Sequence, residues 1–366
     1  MTNFEPQPAL GTTKYGPNGL FTCSVFDKFG LKSSHKKLLQ TAANYSLSKR
    51  SWSTYKTAER MLERCQEETD SRFELPMKEK DVLLFLAWLV ERGLQARTIS
   101  SYLSGIRMFH LRSGFYIPAL RTELVKQILE GRTHLDAVSR RLGEKPVRLP
   151  VTPTILKLIK LELKETDLSK ENKRLFWTVA TVGFAGGFRI HELLAVQEAT
   201  FDPLFTLLGS DITHRSDNLN GKTIETLQIK LKSQKTDRVG VDTLVDVYES
   251  GSTLCPVRAF KKWKATSTQF SNKKPAFRLE NGKPLTGKKF NKYLKQLLGR
   301  HLDYERERIT SHSFRAGITT LMGQMGFADQ EIQALGRWSS KAFEAYLKLP
   351  RTRRLEMAKK IGELGL

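Results

Sequence analysis

The stretch that most restricts this chain is RRLGEKPVRLPVTPT (140–154), near the middle. Pro146, Pro150 and Pro153 each lack a backbone N–H and hold φ near the helical value without being able to continue a helix. Each also pushes the residue before it into extended backbone. Helices therefore do not cross this segment. It predicts a linker over residues 143–153 between two separately cored bodies, one over 34–142 and one over 154–350, and 366 residues are enough for both.

Ahead of the boundary, residues 1–33 are rich in Gly, Pro, Thr and Ser, with Phe21, Phe26 and Phe29 scattered among them and no sustained period. They read as a flexible arm. From Ser34 the pattern turns helical. Trp52, Tyr55, Met61, Leu62 and Cys65 mark one apolar stripe, and DVLLFLAWLVERG is apolar enough to be a central helix, stopped by Gly93. TISSYLSGIRMFHLRSG turns Ile99, Tyr102, Leu103, Ile106 and Phe109 inward and leaves Arg97, Arg107, His110 and Arg112 nearer the surface. LRTELVKQILEG follows Pro118 as a further helix. Four or five helices in this span make a compact all-α body.

The second body is mixed. ILKLIKLELK and RLFWTVATVGFAG are helical, the second nearly all apolar and so central, and Gly186 and Gly187 break it before Phe188. Arg189 to Leu194 reads as a new helix with Arg189 near its start. A cation gains nothing at the positive end of a helix, so that position implies a nearby anion. Between Phe205 and Val247 the period becomes alternating: Leu227, Ile229 and Leu231 point one way, Gln228, Lys230 and Lys232 the other. This is a hairpin with Lys235 in or beside its turn. CPVRAFKKWKAT and PAFRLENGKPLTGKKFNKYLKQLLGR then alternate helix and turn signals and are densely basic.

The last third carries SHSFRAGITTLMGQMGFADQEIQALGRWSSKAFEAY (311–346). His312 and Arg315, three apart, share a helix face. Asp329 has the character of an N-cap for DQEIQAL, with Ile332 and Leu335 facing inward and Gly336 ending the helix. Trp338 falls at a bend. Ser339 or Ser340 caps a helix from Lys341 to Lys348 that carries Tyr346, and residues 351–366 read as a short basic helix. The fold class expected is mainly α with a small antiparallel β-sheet.

Composition points to a polyanionic partner: 61 Lys plus Arg against 38 Asp plus Glu give a net charge of +23. There is no apolar run of transmembrane length and no secretory start, so an intracellular protein without a membrane span is expected. Cys23, Cys65 and Cys255 are too widely spaced for a metal site.

Taken singly, these site residues have ordinary structural readings: a solvated His–Arg pair, a packing tryptophan, a half-buried tyrosine, a capping glutamate. Their order says more. Arg189 with Glu192 three residues on, a lysine in a hairpin, HxxR, LGRW and then Tyr346 resembles the tyrosine recombinase (tyrosine integrase) family over roughly residues 150–350. The wording HSFRAG and LGRWSS is most similar to recombinases of Crypton and DIRS type eukaryotic mobile elements.

That resemblance implies an N-terminal helical core-binding domain that clamps DNA and an α+β catalytic domain carrying Arg189, Glu192, Lys235, His312, Arg315, Trp338 and Tyr346. Lys230 and Lys232 compete with Lys235 for the lysine role. Lys49, Arg50, Lys56, Arg97, Arg107 and Arg112 are the phosphate contacts expected of the first domain, against the alternative of a solvated face. The reaction implied is DNA cleavage and rejoining through a 3′-phosphotyrosine, with no cofactor, ATP or metal, by a homo-oligomer, a tetramer on paired duplex sites, in the nucleus. A non-catalytic DNA-binding derivative and a type IB topoisomerase are the competing readings. The C-terminal helix packs either on its own chain or on a neighbouring protomer.

Overall fold

The computed structural model describes residues 23–46, 49–142, 148–232, 243–299, 301 and 309–338. The chain divides into two compact units, Met1–Lys145 and Pro146–Leu366.

The first unit is helical. A 3₁₀ turn (Cys23–Phe29) leads to α1 (Ser33–Tyr45), α2 (Lys49–Glu68), α3 (Glu79–Glu91), α4 (Ala96–Arg112), a second 3₁₀ turn (Pro118–Arg121) and α5 (Glu123–Arg141). The apolar stripes read from the sequence meet in one core: Ala58 and Cys65 of α2, Phe85 and Leu89 of α3, and Ile99 and Ile106 of α4 are wholly buried. Gly93 takes a positive φ of 69° where α3 stops.

Two of the residues assigned to the surface of α4 lie elsewhere. His110 is completely buried, its Nδ1 2.8 Å from the Ile106 carbonyl and its Nε2 accepting the Met77 N–H at 3.2 Å. It falls on the Leu103–Ile106 stripe and is a core residue, neutral because burial lowers its pKa. Arg112 is half-buried, ion-paired to Glu59 at 2.5 Å and set against the Phe109 ring. Its charge is answered within the unit by Glu59. Lys56, Arg97 and Arg107 are exposed, and the side chains of Lys49 and Arg50 lie outside the described residues.

The second unit is built on α7 (Lys170–Ala185), whose Leu175, Phe176, Val179, Ala180 and Val182 are all buried. Around it lie α6 (Pro153–Lys164), α9 (Pro256–Lys264), α10 (Gly287–Leu298) and α11 (Ser311–Met325). The Phe176 and Phe290 rings stack 4.4 Å apart, and Phe290 meets Phe314 edge-on at 5.7 Å, so α7, α10 and α11 share one aromatic seam. The one-turn helix α8 (Ile190–Leu193) follows α7, and α12 (Asp329–Gly336) follows α11.

β1 (Ile212–Leu219), β2 (Lys222–Leu231) and β3 (Thr243–Tyr248) form an antiparallel sheet in the order β1-β2-β3. Asn220 and Gly221, both at positive φ, join β1 to β2, a turn whose twist suits a two-residue hairpin. Leu227, Ile229 and Leu231 face the core as their alternation requires. The structure is thus mostly helical with one small sheet, and among the described residues no helix is long and apolar enough to cross a membrane.

The segment 148–152 is not a free linker. Val151 is wholly buried and donates its N–H to the Ser313 carbonyl at 2.9 Å, and Thr152 caps α6 by accepting the Ile155 N–H. Gly317 permits this approach, because a methyl group there would overlap the Val151 carbonyl oxygen.

Candidate functional site

The site forms where the end of α7, the start of α11 and the end of α12 meet. Gly186 and Gly187 leave their carbonyls without helical partners, and arginines take them up. Arg315 of α11 donates Nη1 to the Gly187 carbonyl at 2.8 Å and Nη2 to the Gly336 carbonyl. It is completely buried. Arg337 donates Nη1 to the Gly186 carbonyl at 3.1 Å and Nη2 to the Gly187 carbonyl at 3.2 Å.

Arg189 stands at the N-cap of α8, where it meets the carboxylate of Glu192. One carboxylate oxygen accepts the Arg189 guanidinium at 2.8 Å, and the other accepts the Arg189 backbone N–H at 2.8 Å and Arg337 Nη2 at 3.1 Å. The Glu192 side chain is 4% exposed. One buried carboxylate thus joins two guanidiniums and caps a helix.

Trp338 completes the cluster. Its ring centre lies 4.3 Å from the Arg315 guanidinium and 6.0 Å from that of Arg189, so it lies against both cations. Gly336 makes room for it, since a side chain there would strike the indole. Four predicted site residues, Arg189, Glu192, Arg315 and Trp338, therefore converge. Arg189 is the cation that reaches the surface, with its side chain 21% exposed, whereas Arg315 is sealed below the ring.

His312 is half-buried on the first turn of α11, ahead of Arg315. Burial, then the positive charges of Arg148, Arg315 and Arg189, hold its pKa below the usual histidine value, which keeps the imidazole neutral and able to accept a proton. The helix start is fixed by Asn291, which accepts the Ser311 N–H at 2.7 Å, by Ser313, which accepts the Thr310 N–H at 3.1 Å, and by Val151.

The turn after α12 differs from expectation. Ala328, not Asp329, is the N-cap, and Glu331 accepts its N–H at 2.7 Å. Ile332 is buried but Leu335 is exposed. Gly336 remains helical, and the left-handed residue that ends the helix is Arg337, at φ 51°. A non-glycine residue seldom adopts this backbone. Here it swings the Arg337 side chain back to Glu192 and the two glycine carbonyls, and the sequence reading had assigned Arg337 no role.

Lys232 ion-pairs with Asp211 at 2.7 Å and donates to the Pro203 carbonyl at 3.1 Å, so its amine is committed to the fold. Lys230 is exposed on β2. Lys235, Ser339, Ser340 and Tyr346, with the helices assigned to 341–348 and 351–366, lie outside the described residues. Among the described residues no group of three His, Cys, Asp or Glu is placed to hold a metal ion.

No protein-family model matches the sequence, and no curated protein is significantly similar to it. The fold has solved counterparts. A Tn1549 transposon integrase in complex with circular intermediate DNA aligns at a TM-score of 0.52 and 13% identity, over 93% of this chain and 99% of that one. XerH site-specific recombinase on palindromic difH aligns at 0.56 and 15%, over 93% and 88%. A lambda integrase dimer bound to a COC′ core site aligns at 0.51 and 16%, over 89% and 76%. At these identities the likeness is one of fold: a mostly helical chain with the three-stranded sheet of a tyrosine recombinase catalytic domain.

Two measurements test this geometry. Glu192→Gln leaves the buried Arg337 without its carboxylate and lowers the unfolding free energy by about 3 kcal/mol in urea titration; a loss below about 1 kcal/mol contradicts the central role of that carboxylate. In Arg148→Gln the His312 pKa, followed by its ring proton resonance, rises, because one of the positive charges that hold it down is gone while burial remains; an unmoved titration contradicts the placement of Arg148 beside it.

Proposed function

We propose that this chain is a site-specific DNA recombinase that cuts and rejoins a strand through a 3′-phosphotyrosine. The observation that carries the reading is the convergence of Arg189, Arg315 and Trp338 beside a neutral His312. Displacement at a phosphodiester places extra negative charge on the two non-bridging oxygens as phosphorus becomes five-coordinate. Guanidiniums keep their charge at any working pH and offer paired donors to phosphate.

Tyr346 attacks phosphorus and passes its proton to His312, the phosphorus–O5′ bond breaks, and Lys235 protonates the departing 5′ oxygen. Commitment of Lys232 to Asp211 supports Lys235 over it in this role. Because the ester is conserved in the tyrosine link, the 5′-hydroxyl of a second strand reverses the step, and no ATP is consumed. Arg315 is buried against the Trp338 indole, so Arg189, which reaches the surface, is the guanidinium that meets the phosphate first.

The partner is double-stranded DNA, held by an oligomer on paired sites. Exposed Lys56, Arg97 and Arg107 supply sequence-independent contacts from the first unit, acting as the DNA clamp. The solved counterparts are DNA complexes of recombinases, which supports this partner. The HSFRAG and LGRWSS wording supports a mobile-element enzyme of Crypton or DIRS type, acting in the nucleus.

A duplex nicked so that the cleaved end diffuses away tests the reading. The unaltered chain accumulates a covalent adduct, Tyr346→Phe forms none, and Arg189→Gln forms it about 10²–10³ times more slowly. Adduct formation by Tyr346→Phe at the normal rate would remove the proposed nucleophile. Duplex binding with no adduct on any site would leave a non-catalytic DNA-binding protein.

A further inference from the structure

A second concentration of positive charge lies on α6 and α9. Lys157, Lys160 and Lys164 are three and four residues apart on α6, and so share one face; Arg258 and Lys262 do the same on α9. Lys160 ties the two rows together. Its Nζ donates to the Thr253 carbonyl ahead of α9 at 2.9 Å and lies 5.3 Å from the centre of the Trp177 ring on α7. Burial, followed by the charges of Lys262, Lys164 and Arg258, holds its pKa below the usual lysine value, as expected of neighbouring cations.

None of these five cations pairs with a carboxylate among the described residues. Glu162, on the same helix, goes to His301 at 2.9 Å, and the neighbouring Lys261 turns to Glu225 at 2.5 Å. Like charges clustered beside the Trp177 ring and the exposed Leu161 repel one another, and an anion laid over them relieves that repulsion.

The patch is separate from the arginine cluster. Trp177 lies roughly 13 Å along α7 from Gly186 at the helical rise, and Lys160 roughly 10 Å along α6 from Pro153. Two rows of cations at helical spacing suit a repeating anion better than a single phosphate, and a chain of net charge +23 already favours a polyanion.

We infer that the α6–α9 face is a second nucleic-acid surface, which takes the sugar–phosphate backbone of duplex DNA outside the segment held at Arg189. This rests on the recombinase reading. The surface adds affinity and salt dependence without adding base recognition.

The test uses the full chain with Lys160→Gln, Lys164→Gln, Arg258→Gln and Lys262→Gln combined. Binding of a labelled 40-base-pair duplex of unrelated sequence is followed by anisotropy across a salt series. The slope of log K against log salt becomes shallower by about 2–4, at about 0.9 per lost phosphate contact. Adduct formation on a short nicked duplex covering only the cleavage site stays within about twofold, and the melting temperature does not fall, because mutual repulsion has been removed.

An unchanged slope in a variant that still forms adduct overturns the inference. Loss of adduct together with the slope overturns the separateness of the surface. Unchanged duplex binding with lost binding to phosphatidylserine vesicles reassigns it to a lipid surface. Failure of the unaltered chain to bind any duplex would instead sink the recombinase reading, and this surface with it.

Discussion

The Glu192 carboxylate is the interaction on which the second unit's architecture turns. Three guanidiniums gather at the ends of α7, α11 and α12, in a region where Arg315 is fully buried and the Arg337 side chain is 9% exposed. Buried charge is tolerated when it is paired and hydrogen-bonded, and costs several kcal/mol when it is not. Glu192 supplies the negative charge, and the Gly186, Gly187 and Gly336 carbonyls accept from the Nη groups of Arg315 and Arg337. One carboxylate against three arginines leaves the cluster net positive. Such a cluster attracts an anion while remaining stable without one.

The frame around the cluster explains its rigidity. Arg189 follows a glycine pair on a helix end, Arg315 opens the second turn of α11, and Arg337 is the residue that reverses the chain after α12. Two of the guanidiniums are bound to elements other than their own, Arg315 to the α7 end and Arg337 to the α7 end and α8, while Arg189 pairs with Glu192 of the helix it caps. Arg337 therefore acts by positioning. Its left-handed backbone and its side-chain bonds together fix where Trp338 begins, and Trp338 in turn lies against Arg315 and Arg189.

Much of this was legible in residue order, and the exceptions have physical reasons. The apolar run of α7 and the alternation of Leu227, Ile229 and Leu231 settle their own burial, because period and hydrophobicity agree. The exposed strand β1 is polar, and only its Asn220–Gly221 turn signals it. His110 lies on a helical stripe, and weighting its polarity above that period placed it outside. Arg112 could not be assigned from local pattern, because its partner Glu59 lies 53 residues away. Arg337 was missed because Gly336 beside it is the residue that ordinarily takes a left-handed turn. Within the chain the Arg189 guanidinium meets the carboxylate of Glu192, three residues on in the same motif.

If the cluster exists to meet the charge of one phosphodiester, removing that charge should remove the need for it. The direct measurement is adduct formation by Arg189→Ala on two duplexes, one with the natural scissile phosphate and one with an uncharged methylphosphonate in its place. The account predicts a variant nearly inactive on the phosphodiester that regains adduct formation on the methylphosphonate. A folded variant equally inactive on both would contradict it.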